Sequence, residues 1–135
     1  MPGAFALDAY ALMALFQDEP GAARVQQLIQ EAQSGSATLY MTSVNLGEVV
    51  YGLQNKRGPN AAIRALAAIE ATEISVVSVD TNLALDAARL KATNGMGYLD
   101  CFVAALSNRF DATIITGDPD FEKVGGGVAI EWLPV

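Results

Sequence analysis

The sequence contains no histidine, a single cysteine, and only 8 basic residues against 15 acidic ones. Without histidine, Ser-His-Asp and Cys-His nucleophiles, imidazole acid–base pairs, His-ligated zinc and imidazole pH sensing are all excluded. The lone Cys101 excludes thiolate zinc sites and any intramolecular disulfide, which fits a reducing cytosol and a cytoplasmic protein. No apolar run reaches the roughly 18 residues of a membrane span, so no membrane association is expected. Met1-Pro2-Gly3 offers no basic leader and Asp8 interrupts the first apolar run, so a signal peptide is not expected. Neither a Walker A pattern nor a dinucleotide fingerprint is present. An EF-hand loop beginning at Asp118 fails, because Lys123 stands where glycine is required and Ala129 where the last ligand should be glutamate. The net charge of −7 and a pI near 4.3 argue, at first sight, against a nucleic-acid partner.

What is present is enough for one domain over residues 1–135, with 52% hydrophobic and 17% charged residues. A chain of this mass folds to roughly 6,800 Å² of surface, burying about two-thirds of what it exposes unfolded. Short apolar runs alternate with helical patterns. Ala4–Leu7 predicts a first strand, and Leu12, Leu15 and Phe16 mark a short helix. Val25, Leu28, Ile29 and Ala32 recur at helical spacing after Pro20. Leu39–Met41 predicts a second strand, with Thr42 and Ser43 as candidate helix caps. Leu46, Val49, Val50 and Leu53 define a third helix, and Ala61–Ala71 a fourth. Ile74–Val79, alternating and β-branched, predicts the third strand, followed by a helical pattern through Leu83, Ala87 and Leu90. After the loop Asn94–Gly97 comes a helix through Phe102, Val103, Leu106 and Phe110. Ala112–Thr116 and Val128–Leu133 predict the last two strands, joined through Gly125-Gly126-Gly127. Strands separated by helices imply βαβ units with right-handed crossovers, hence a three-layer α/β/α sandwich around a mainly parallel five-stranded sheet.

The acids fall at informative places on that scheme. Asp8 directly follows strand one and Asp118 follows strand four; Glu48 lies in the second turn of the helix after strand two. Ligands of open α/β sheets bind beyond the carboxyl ends of strands, where strand order reverses. Asp8 and Asp118 occupy that position if strands one and four are neighbours, and Glu48 looks back toward the same edge. Asp100, near the start of a helix that no strand precedes, is not placed by this reasoning. Carboxylates crowded into one crevice repel one another unless a cation neutralises them, and Mg²⁺ or Mn²⁺ suits an all-oxygen site that binds phosphate. Such a site supports phosphodiester hydrolysis without histidine. Each acid taken alone also fits an ordinary turn, cap or exposed helix position.

Four short blocks resemble those of PIN-domain ribonucleases of the VapC toxin type, in the family's order: Leu7-Asp8-Ala9-Tyr10-Ala11-Leu12, Ser43-Val44-Asn45-Leu46-Gly47-Glu48-Val49, Tyr98-Leu99-Asp100-Cys101-Phe102 and Thr116-Gly117-Asp118-Pro119-Asp120-Phe121. The resemblance implies a parallel sheet in the order 3-2-1-4-5 and metal-dependent cleavage of RNA. It implies Asp8 and Asp100 as the main metal ligands, Asp118 assisting, and Glu48 positioning water or a second ion. It further implies a small antitoxin protein covering the acidic crevice, and a homodimer. Tyr10 departs from the family, which usually has Ser or Asn there; Leu99 stands where glycine is frequent, and Lys91 where arginine is. Thr116, at the end of strand four, can donate to a metal-bound water or simply pack. Cys101 and Trp132 are expected to serve packing.

Two other classes compete. A phosphoacceptor receiver domain has similar size, and Asp80 after strand three is placed as its acceptor, but a second acid at strand one and a lysine after strand five are lacking. A PIN-like fold without activity, acting only as a binding module, is the other. On the metal-site view, Asp8, Glu48, Asp100, Asp118 and Asp120 account for five negative charges, leaving −2 for the rest of the chain.

Overall fold

A computed structural model describes residues 3–135, so Met1 and Pro2, part of the leader argument, lie outside it. The elements run β1 (Gly3–Leu7), α1 (Ala9–Phe16), α2 (Ala22–Gln33), β2 (Ala37–Thr42), α3 (Ser43–Arg57), α4 (Pro59–Glu70), β3 (Ser75–Val77), α5 (Thr81–Asn94), α6 (Tyr98–Phe110), β4 (Thr113–Thr116), a 3-10 helix (Pro119–Val124) and β5 (Ile130–Trp132). Every strand pair is parallel, in the order β3-β2-β1-β4-β5. This is the expected sheet, and the order reverses between β1 and β4.

Side chains alternate across the strands, which creates two cores. Leu7, Leu39, Met41 and Ile115 point to one face, where Leu12 of α1, Val25 and Leu28 of α2, Leu53 of α3 and Ile69 of α4 pack. Their neighbours Ala6 and Ile114 point to the other, against Leu83 and Ala87 of α5 and Val103 and Leu106 of α6. Period-2 strands between period-3.6 helices give the three layers. The accessible surface of 6,813 Å² matches the size expectation. Among the described residues no helix is long and apolar enough to cross a membrane.

Caps hold the helices at the carboxyl edge of the sheet. Asp8 caps α1 by accepting from the Ala11 N–H at 2.9 Å, and Thr42 caps α3 by accepting from the Asn45 N–H at 3.0 Å. Asp80 caps α5, accepting from the Leu83 N–H at 2.7 Å. Gly95 closes α5 with φ +72°, a left-handed conformation that only glycine adopts without strain.

Several bounds differ from expectation. The third strand is three residues, Ser75–Val77, rather than Ile74–Val79. It is an edge strand; the Val79 N–H turns away to the Ser43 Oγ at 3.2 Å, and Asp80 is already a helix cap. The fifth strand is Ile130–Trp132, not Val128–Leu133, and Trp132 on it stays 45% exposed. The fourth helix starts at Pro59, whose fixed φ suits a first turn, rather than at Ala61. Residues 119–124, with no expected element, form a 3-10 helix that seats buried Phe121.

Candidate active site

At the carboxyl ends of β1 and β4 the backbone registers pair Leu7 with Ile115, so Asp8 stands level with Thr116. The Thr116 hydroxyl donates to Asp8 Oδ2, while Oδ1 is held by the α1 cap. The same Thr116 oxygen accepts from the Asp118 N–H at 3.0 Å, so one hydroxyl ties both acids to the switch point. Asp118 in turn accepts from the Asp120 N–H at 2.9 Å, starting the 3-10 helix.

Glu48 arrives from α3 through a residue that sequence reasoning did not single out. Asn45 is fully buried; its side-chain oxygen accepts from the Thr42 hydroxyl, and its Nδ2 donates to Glu48 Oε1 at 2.8 Å and to the Leu99 carbonyl at 3.2 Å. A buried amide with every polar atom matched orients its neighbours firmly. It holds the Glu48 carboxylate and joins α3 to the first turn of α6, next to Asp100. The signal was there in the Thr-x-x-Asn spacing at the start of α3, but an amide three residues after a cap usually faces solvent.

Asp100, which strand logic could not place, reaches the site because α6 starts at the carboxyl edge and runs back to β4. Gly97 lies under it. A side chain there would stand 3.4 Å from Asp100 Oδ2 and 3.6 Å from Asp120 Oδ2. Asp120, counted from the sequence with the site's charges but given no role there, is bound into it. Its Oδ2 accepts from the Gly97 N–H at 2.8 Å, and Lys123 pairs with it at 2.9 Å.

The electrostatics show that these acids share one space. Asp8 is pushed up to about 7, first by burial against the opposing Thr116 and Ala11 bonds, then by the charges of Asp118 and Glu48. Asp100 is pushed up to about 8 by burial, by a shared hydrogen bond with Asp120, and by Asp118 and Asp8. Glu48 also lies above its ordinary range, through burial and Asp118, with the Asn45 bond opposing. Asp120 is held down to about 2 by the Gly97 N–H, Lys123 and Asp100. Among the described residues no lysine or arginine forms an ion pair with Asp8, Glu48, Asp100 or Asp118.

An oxygen-only set of mutually repelling carboxylates is the donor chemistry of a hard divalent cation, so Mg²⁺ or Mn²⁺ fits the residues present. No three of the described acidic or cysteine side chains already surround one point, so the carboxylates have to converge on the ion. Asp8 and Asp100, the two pushed furthest up, would gain most from such an ion.

The remaining residues fall elsewhere. Asp80 lies beyond the edge strand β3, exposed, capping α5 and 3.4 Å from Arg109. A receiver sheet has the order 2-1-3-4-5, with its third strand central. Here β3 is at the edge, which excludes that alternative. Cys101 is fully buried, as expected, and Lys91 is exposed on α5.

Residues 5–127 match the family model described as the PIN domain. The chain belongs to the PIN domain family. Solved structures of toxin–antitoxin proteins share this PIN fold. Mycobacterium tuberculosis VapC20, described as a sarcin–ricin loop cleaving toxin, matches with a TM-score of 0.77 at 19% identity, over 96% of this chain and 99% of that one. VapBC2 from Rickettsia felis, bound to a promoter DNA fragment, matches at 0.76 and 13% identity over 97% and 99%. DNA-bound VapBC from Salmonella typhimurium matches at 0.74 and 20% over 97% and 98%. No curated protein sequence matches this PIN domain chain. At such identities the likeness establishes the fold, and the acids of this chain must carry any statement about chemistry.

Proposed function

We propose that this PIN domain is a metal-dependent endoribonuclease and the toxin component of a toxin–antitoxin pair. The observation that carries this is the gathering of Asp8, Glu48, Asp100 and Asp118 from four separate segments at the carboxyl edge of the sheet, near enough for charge on one to act on the next, with no lysine or arginine of the described residues paired to them. Family membership and the RNA-cleaving VapC20 neighbour support the same reading.

Asp8 and Asp100 would hold Mg²⁺ or Mn²⁺, with Asp118 assisting. The ion, when bound, supplies an activated water and stabilises charge on the phosphate. Glu48, fixed by Asn45, positions the attacking water and receives its proton. Thr116 keeps Asp8 and the Asp118 backbone in one orientation. Water adds across one P–O bond of the RNA backbone: its oxygen joins phosphorus and a proton passes to the departing oxygen.

The expected partner is a small antitoxin with a segment that covers the crevice, since the structural neighbours include VapBC complexes. A second copy is the other expected partner. A concavity of about 400 Å³ between α3 and α4, with exposed Tyr51 at its rim, offers apolar surface for such contacts.

Purified protein with Mg²⁺ or Mn²⁺ should cleave RNA, and EDTA should stop it. Asp8→Asn and Asp100→Asn should each abolish cleavage while the circular dichroism spectrum stays that of the parent. Cleavage by Asp100→Asn at the parent's rate would contradict the assignment.

A further inference from the structure

A nuclease needs a grip on RNA, and the ordinary grip is cationic. This chain has little to offer. Of its 8 basic residues, Arg24, Arg89, Arg109 and Lys123 are engaged in ion pairs with the chain's own carboxylates. Lys56 and Arg57 end α3, a 15-residue helix that begins at the carboxyl edge of the sheet, so they lie about 20 Å away from that edge. Arg64 lines a concavity with Arg57 and Phe16, the last residue of α1, at that same far end. Among the described residues, Lys91 near the end of α5 is the uncommitted cation whose charge acts on the start of α6, at Cys101.

Two tyrosines stand where cations do not. Tyr10 lies in the first turn of α1, the helix that Asp8 caps, and Tyr98 opens α6, whose first turn carries Asp100, so both stand at helix starts on the carboxyl edge of the sheet. A side chain built at Gly117 would meet Tyr10 Cε1 at 2.3 Å, Cζ at 2.6 Å and Oη at 2.9 Å. The hydroxyl end of that ring therefore rests on bare backbone between Thr116 and Asp118. The body of the ring packs on the α1–α4 core, and the hydroxyl has no hydrogen-bond partner among the described residues. Tyr10 is half-buried, and its hydroxyl is not sealed off from solvent. Tyr98 is 44% exposed, and its ring leans on Phe102 at 4.8 Å with a 55° tilt, which fixes it without covering it.

We infer that Tyr10 and Tyr98 form the RNA-holding rim of this site: Tyr98 stacks an unpaired base, and the Tyr10 hydroxyl donates to a non-bridging oxygen of the neighbouring phosphate. This deepens the ribonuclease reading and rests on it. Stacking requires a base free of its helix, so the substrate segment is single-stranded. Gly117 is a positioning residue, because any side chain there would expel the Tyr10 ring.

The consequence is unusual salt behaviour. For single strands the logarithmic slope is about −0.7 per neutralised phosphate, so one contact through Lys91 costs about 2- to 3-fold in affinity between about 50 and about 200 mM salt. Six contacts would cost about 300-fold by the same rule.

The test is fluorescence anisotropy of the full chain with a short labelled unstructured RNA, in Ca²⁺, across that salt range, beside single-turnover cleavage in Mg²⁺. The expected results are a salt loss below about fivefold, Tyr98→Ala binding about tenfold weaker with Tyr98→Phe near the parent, and a duplex of the same sequence bound less well. Tyr10→Phe, which keeps the packing, should cleave about tenfold more slowly with its thermal midpoint unchanged. A salt loss of tenfold or more, or binding by Tyr98→Ala and cleavage by Tyr10→Phe both equal to the parent, overturns the proposal while leaving the ribonuclease reading in place. A parent that neither binds nor cleaves RNA overturns both.

Discussion

Replacing Asp8 by asparagine should stabilise the metal-free protein at alkaline pH, although it removes a proposed metal ligand. The Asp8 carboxyl is raised from its ordinary 3.8 to about 7 by burial. The unfolded chain therefore releases this proton near pH 3.8 and the folded chain only near pH 7. Stability falls as pH rises through that window and levels off above it. At 1.36 kcal/mol per pKa unit, holding an ionised Asp8 in the folded state costs about 4 kcal/mol above pH 7. An amide carries no such cost. Its oxygen keeps the Ala11 N–H bond, but the Thr116 hydroxyl loses its acceptor, a penalty of about 1 kcal/mol. Asp8→Asn should thus gain about 3 kcal/mol over the parent at pH 8 and lose about 1 kcal/mol at pH 4. Urea unfolding in EDTA at the two pH values measures this. A variant less stable than the parent at pH 8, or a difference that does not change with pH, would refute the burial argument.

Other substitutions probe the supports. Asn45→Ala leaves the Thr42 hydroxyl, Glu48 and the Leu99 carbonyl without their partner. It should cost about 2–3 kcal/mol in urea unfolding and slow RNA cleavage. Gly117→Ala drives a methyl to 2.3 Å from the Tyr10 ring and should destabilise by about 1–3 kcal/mol, whereas in a Tyr10→Ala background the same change should cost little further. Incubation with acetyl phosphate should leave Asp80 unlabelled by mass spectrometry, because it is an exposed helix cap beyond an edge strand.

How legible each site residue was depends on what places it. Asp8 and Asp118 follow strands, and a residue after a parallel strand is at the carboxyl edge by construction, so both could be located once β1 and β4 were neighbours. That neighbourhood came from the family resemblance, since patterning orders strands along the chain but not across the sheet. Asp100 is placed by packing of α6 against α5 and β4, contacts between segments that no local period encodes. Asp120 could be set beside the site but not tied into it, because its partners, Gly97 and Asp100, lie twenty or more positions upstream. β3 was expected over the alternating, β-branched Ile74–Val79 and became one of the shortest strands, because that run ends where Ser43 and the α5 cap claim the backbone. Of the acidic excess, the site carries less at neutral pH than five formal charges, since Asp8 and Asp100 titrate near 7 and 8.

Whether these carboxylates share one cation is decided by titrating Mn²⁺ into the protein by calorimetry at pH 6.5, in two buffers of different ionisation enthalpy. With Asp8 at about 7 and Asp100 at about 8, both acids are mostly protonated there and must yield their protons to the ion. Binding should release between about one and about two protons, and Asp100→Asn should weaken it and remove most of that release. Binding without proton release, equal binding by Asp100→Asn, or no binding at all would contradict a metal centre built on Asp8 and Asp100.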